Sequence, residues 1–223
     1  MAGGDAVMPF RLPAPSGRPL RLLCLGAHAD DLEIGCGGTV LHLLGHGTPV
    51  EVRWAVLSGT AERHREAGAG AEHFLAGAAA SELMLRTYRD GYFPYEAALK
   101  DFFEELKAGP DPDLILTHHR GDRHQDHRTV AELTWNTWRR HLILEYEIPK
   151  YEGDLGHPNV YVPLTRAEVD RKVDGLMSAF GSQRDHHWFD PQTFRGLLRL
   201  RGVECAAPDG YAEAFHGPKI LVE

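Results

Sequence analysis

Leu22-Leu23-Cys24-Leu25-Gly26-Ala27-His28-Ala29-Asp30-Asp31-Leu32-Glu33-Ile34-Gly35 runs from apolar residues into a cluster of imidazole and carboxylates. It then enters the glycine-rich Gly35-Cys36-Gly37-Gly38-Thr39. A short apolar run bounded by breakers reads as a buried strand, here Arg21 to Ala27. The glycines open a helix reaching about His46, with Val40, Leu41, Leu43 and Leu44 as its apolar face, and Gly47-Thr48-Pro49 stops it. Strand, polar turn and helix make one β-α unit.

The alternation continues along the chain. Strands are expected over 50–57, 83–88, 114–117, 142–148 and 160–163. Helices are expected over 62–80, 95–107, 128–141, 166–180 and 191–201, and Tyr211 to Val222 closes the chain. Alternating strands and helices imply an α/β fold: a Rossmann-like three-layer sandwich around a mostly parallel sheet. Ligands of such sheets bind beyond the carboxyl ends of the strands. Residues 1–19, rich in Gly, Pro and Ala, read as a flexible leader, and residues 20–223 as a single domain.

Bulk properties narrow the function. The formal charge of -8 opposes nucleic-acid binding, which wants a basic face. No apolar run approaches the ~20 residues of a membrane span. Three cysteines without metal-finger spacing, and no secretory signal, point to reduced thiols and a cytoplasmic location. A dinucleotide site is disfavoured. Gly35-x-Gly37-Gly38 lacks the required spacing, and Ser58-Gly59-Thr60 stands where the acidic residue belongs.

A second cluster, Gly121-Asp122-Arg123-His124-Gln125-Asp126-His127, follows the strand Leu114-Ile115-Leu116. If a helix starts near Gln125, His124 and His127 project into the same crevice as His28, Asp30 and Asp31. Taken singly, each cluster also reads as a helix cap or a polar loop. Two such clusters at two strand ends favour a metal site. Two neutral imidazoles and one carboxylate with an open position form a catalytic zinc set, which makes a metal hydrolase the leading reading.

Ala27 to Gly35 resembles the Ala-His-Pro-Asp-Asp-x-Glu-x-Gly signature of the PIG-L/LmbE-like zinc deacetylases, with Ala29 in place of the proline. His124-Gln125-Asp126-His127 resembles the family's His-x-Asp-His motif. Weaker echoes are Arg63-x-x-Glu66, Ser182-Gln183 and Tyr211-Ala212-Glu213-Ala214-Phe215. The resemblance implies His28, Asp31 and His127 as zinc ligands, a set that ferrous iron also suits. It implies Asp30 as general base and His124 as imidazolium oxyanion stabiliser or acid. Asp126 would orient His124 and raise its pKa. Arg63 would hold substrate unless it pairs with Glu62 or Glu66, and Glu33 would stand behind the ligands, holding one of them or the helix start.

The activity so implied is removal of an N-acetyl group from an amino sugar or its glycoside or conjugate, in a bacterial specialised or cell-surface glycan pathway. The partners implied are that small molecule and further copies of the chain, hexamers being among the family's forms. Competing readings are an inactive sugar-binding protein of the same fold and a non-haem iron enzyme using the same ligand set. His118, His119, His186 and His187 read better as structural histidines than as pocket residues. Tyr92, Trp188 and Phe189 could stack on a sugar or pack in a core or interface.

Overall fold

The computed structural model describes residues 9, 12 and 15–221. The expected leader over 1–19 therefore lies largely outside the described residues, as does Val222. Seven strands form one sheet: β1 (Leu20–Gly26), β2 (Val50–Val56), β3 (Ala80–Leu85), β4 (Leu114–His118), β5 (Leu142–Tyr146), β6 (Val160–Leu164) and β7 (Tyr211–His216). The helices are α1 (Asp31–Gly45), α2 (Ala61–Phe74), α3 (Ala97–Ala108), α4 (Gln125–Thr137), α5 (Arg166–Ala179) and α6 (Pro191–Glu204). The strand order is β3-β2-β1-β4-β5-β7-β6. β1 to β5 are parallel, and β7 runs antiparallel to both β5 and β6.

Side chains alternate across the strands, and that alternation divides the core. Leu22 and Cys24 of β1, with Trp54 of β2 and Leu116 of β4, pack with α1, α2, α5 and α6 on one face. Leu23 and Leu25, with Ala55 and Ile115, pack with Phe102 and Phe103 of α3 and Val130 of α4 on the other. The result is the expected three-layer sandwich.

Several boundaries differ from the sequence reading, among them the α2–β3 junction and the start of α1. The Ala-rich stretch expected to be helical to residue 80 ends at Phe74. Gly77 takes a left-handed conformation (φ 105°) and turns the chain into β3, which starts at Ala80 rather than Leu83. β3 is an edge strand with four of its six residues exposed, so it lacks the apolar signal of a buried strand. Helix α1 begins at Asp31 instead of Gly35, which puts Asp31 and Glu33 in a buried first turn.

α1 is buried continuously from Asp31 to Leu41 and crosses β5 closely. A Cβ at Gly35 would overlap the Tyr146 ring, whose hydroxyl donates to Leu25 O at 2.7 Å. From β7, the Glu213 carboxylate accepts the N–H groups of Gly38 (2.7 Å) and Thr39 (2.6 Å). Lys172 of α5 pairs with Glu213 and donates to Ile34 O at 2.5 Å. This buried ion pair anchors α1 to the sheet, and α1 in turn carries Asp31.

Candidate metal centre and active site

β1 and β4 are parallel neighbours, and they lie where the strand order reverses. The crevice beyond their carboxyl ends is the switch point at which open α/β sheets bind ligands. β1 delivers His28, Asp30 and Asp31 to it, and β4 delivers His118 through His127.

His28 Nδ1 lies 3.2 Å from His127 Nε2 and 3.4 Å from Asp31 Oδ2. His127 Nε2 is 3.5 Å from Asp31 Oδ1. Donor atoms about 2.0–2.2 Å from a tetrahedral zinc stand about 3.4 Å from one another; the two imidazole nitrogens fit that edge, while Asp31 meets His28 with Oδ2 and His127 with Oδ1.

The other nitrogen of each ring meets a carboxylate. His28 Nε2 is 3.0 Å from Asp90 Oδ1 and 3.3 Å from Asp126 Oδ2. His127 Nδ1 is 2.9 Å from Asp122 Oδ2. Ionised carboxylates only accept, so His28 carries its hydrogen on Nε2 and His127 on Nδ1. The two lone pairs then converge from His28 Nδ1 and His127 Nε2, an arrangement typical of metal-binding histidines. Asp31 Oδ2 accepts the His28 backbone N–H at 2.6 Å, which orients the third donor.

The electrostatics agree with a cation site. Burial opposes charge on His28, but Asp126, Asp31 and Asp90 hold its pKa well above the usual value, so a proton sits on Nδ1 until a metal ion displaces it. Burial, with His118 beside it, takes His127 down to about 4. Burial would raise Asp31, but His127 and His118 hold it well below the usual carboxylate range. His118 is fully buried and stacks on His127 at 3.9 Å between centroids. Its Nε2 accepts the Ala27 N–H at 3.0 Å.

Asp30 adopts a left-handed conformation (φ 99°), which costs a residue with a Cβ about 1–2 kcal/mol. Strain of this kind clusters at functional sites. Although it is the N-cap residue of α1, its side chain caps nothing. It is buried, with Oδ2 2.9 Å from Arg63 Nη2. Burial, and next to it the charge of Asp31, outweighs Arg63 and raises Asp30 to about 7. His124 is the N-cap of α4, its Nδ1 accepting the Asp126 N–H at 3.3 Å. That bond leaves the hydrogen on Nε2. Burial and the neighbouring His127 and His28 lower the pKa of His124.

Three of the expected site residues meet partners other than those expected or point elsewhere. The Asp126 carboxylate does not hold His124. It accepts from Gly91 N (2.6 Å) and Phe93 N (3.1 Å) and faces His28, and the pKa of His124 lies below its ordinary value rather than above it. Arg63 is engaged by the protein itself: Glu66 Oε2 at 2.6 Å, Ser182 Oγ at 3.3 Å, Asp30 and the Ala29 carbonyl. It braces the strained loop. Glu33 points away from the donors, towards Gly70 and Phe180, and neither of its oxygens has a hydrogen-bond partner. Burial raises its pKa to about 8.

Sequence reasoning missed Asp122, Asp90 and Lys150. Asp122 stands inside the quoted second cluster without a role, and Asp90 precedes Gly91, a pair that reads as a turn. Lys150 Nζ binds Asp122 Oδ2 at 2.9 Å and Asp154 Oδ1 at 2.8 Å from a loop without periodic signal. His119 and His216 stack on each other at 3.8 Å between centroids, and Phe189 is core. Tyr92 is 44% exposed. It lies between Gly91 and Phe93, the two residues whose N–H groups bind Asp126, and so at the rim. Among the described residues no helix is long and apolar enough to cross a membrane.

Known proteins resemble the chain at several levels. The uncharacterized deacetylase YaiS of Escherichia coli (strain K12) is 27% identical over 157 residues, 65% of this chain and 83% of its own length. The N,N'-diacetylchitobiose deacetylase of Pyrococcus horikoshii superposes with a TM-score of 0.70 at 19% identity, covering 93% of this chain and 86% of its own. GalB, the 4-carboxy-2-hydroxymuconate hydratase of Pseudomonas putida KT2440, superposes with a TM-score of 0.64 at 18% identity, covering 92% and 98%. One fold thus serves different reactions in these neighbours, and the fold alone does not name the chemistry. The family model described as PIG-L, GlcNAc-PI de-N-acetylase, matches residues 23–138, just over half of the chain and all of the residues that converge on the crevice. The chain belongs to the PIG-L family.

Proposed function

We propose that this protein is a metal-dependent N-deacetylase acting on an N-acetylated amino sugar, its glycoside or a conjugate. The observation that carries the reading is the convergence of His28 Nδ1, His127 Nε2 and Asp31, each imidazole fixed from behind by a carboxylate. Those three residues would hold zinc or ferrous iron. Such an ion, once bound, supplies a Lewis acid that polarises the acyl carbonyl and lowers the pKa of water.

The chain's own groups account for the proton traffic. Asp30 accepts a proton from the attacking water. Its pKa near 7 suits a base that must also give the proton back. The water oxygen bonds to the acyl carbon, and the carbonyl electrons move onto oxygen. His124, neutral with its hydrogen on Nε2, donates a hydrogen bond to that oxyanion. When the C–N bond breaks, Asp30 returns the proton to the departing amine. The products are acetate and a free amino group. Arg63 holds the Ala29–Asp30 turn in its strained shape, so the base stays in place during turnover.

The family description and the acetylated sugar named for the Pyrococcus horikoshii enzyme support the amino-sugar class. The test is release of primary amine from a panel of N-acetylated amino sugars, free, glycosidic and nucleotide-linked. Amine released by the metal-replete protein, abolished by a chelator and restored by zinc or iron, is the expected outcome. No amine from any member with metal bound would leave the reaction class without support.

A further inference from the structure

A second group of metal-binding side chains lies at the other end of α1. His42 and His46 are one helical turn apart, with ring centroids 3.9 Å from each other. Glu168, in the first turn of α5, places Oε1 3.1 Å from His42 Nδ1. One donor atom from each of the three lies within 4.8 Å of the other two. His42 is eleven residues along α1 from Asp31, about 16 Å at 1.5 Å per residue, and shares no side chain with the crevice.

We propose that Nε2 of His42 and Nε2 of His46 bind a second transition-metal ion, zinc, copper(II) or nickel(II), with Glu168 of α5 fixing the His42 ring from behind and so tying the end of α1 to α5. Both rings are set in the tautomer that binds metals. Glu168 accepts the hydrogen of His42 Nδ1, and the His42 carbonyl accepts that of His46 Nδ1 at 2.7 Å. Each Nε2 therefore keeps its lone pair.

The carboxylate is itself fixed, because Glu168 Oε2 accepts from Thr165 N at 2.7 Å and Thr165 Oγ at 2.9 Å. His46 is exposed, so an ion reaches the site from solvent. The carboxyl end of α1 also carries partial negative charge, which favours a cation there. Two imidazoles one turn apart on a helix are a recurrent zinc-binding geometry, and imidazole selects zinc, copper or nickel over magnesium or calcium.

The test is zinc titration of the full chain against a chromophoric chelator, in wild type, H46A, E168Q and the H28A/H127A double variant. Wild type is expected to bind two zinc ions, and H46A to lose one. E168Q should weaken that same ion about 10- to 100-fold. H28A/H127A should keep it. Copper(II) added to H28A/H127A should show imidazole nitrogen coupling by electron paramagnetic resonance, and His46→Ala on that background should remove it. Superimposable zinc isotherms for wild type and H46A would overturn the proposal while leaving the crevice untouched. Loss of zinc only in H46A would support it while removing the metal from the proposed deacetylase centre.

Discussion

Asp122 Oδ2 lies 2.9 Å from His127 Nδ1 and 2.9 Å from Lys150 Nζ, so one carboxylate oxygen fixes a candidate metal ligand and is neutralised by a lysine. Burial would raise the pKa of Asp122, but His127 and Lys150 hold it far below the usual value, and it stays an acceptor. Asp122→Asn removes the charge and lets an amide N–H face the ring. Metal affinity is expected to fall about 10- to 100-fold with the fold retained, as read by competition with a chelator. Unchanged affinity would show that His127 needs no such partner.

Asp30 occupies a strained position (φ 99°), and its side chain makes no capping hydrogen bond to α1. Asp30→Asn is expected to keep the metal and lower kcat about 10²- to 10⁴-fold. Metal content and turnover measured on the same preparation separate the two effects. Loss of metal would mean that Asp30 and Asp31 exchange roles.

His124 is both the cap of α4 and the donor assigned to the oxyanion. His124→Asn keeps a capping acceptor, so the helix should persist. kcat is expected to drop about 10²- to 10³-fold with metal affinity little changed. A rate close to wild type would take His124 out of the mechanism.

The Lys172–Glu213 pair is buried, and each partner also bonds the backbone of α1. Lys172→Met leaves Glu213 charged and unpaired, and about 3–5 kcal/mol of stability should be lost in urea unfolding. The double variant K172M/E213Q should recover part of that loss. A single variant as stable as wild type would show that the pair does not anchor α1.

Much of this was legible in the sequence, for identifiable reasons. The apolar run ending at Ala27 and the run ending at Leu116 each stop at polar clusters, so the strands and the crevice they share could be read together. The parallel sheet followed from alternation alone. What the sequence could not show was which atom of each cluster faces which. Asp126 is adjacent in sequence to the next histidine, yet its carboxylate points to His28, 98 residues earlier, because Gly91 and Phe93 capture it. Lys150 reaches Asp122 from a loop with no periodicity. Glu33 follows the donor cluster but turns to the far side of α1, since adjacent helical side chains diverge by about 100°. Edge strand β3 was shifted because its exposed residues carry no burial pattern.

The central claim is that His28, Asp31 and His127 together hold the ion that serves deacetylation. A crystal structure with zinc, phased on the anomalous scattering of that metal, tests it most directly. The expected result is an anomalous peak about 2.0–2.2 Å from His28 Nδ1, Asp31 Oδ1 and His127 Nε2. A zinc-replete crystal with no peak between those three atoms, whatever appears elsewhere on the surface, would contradict it.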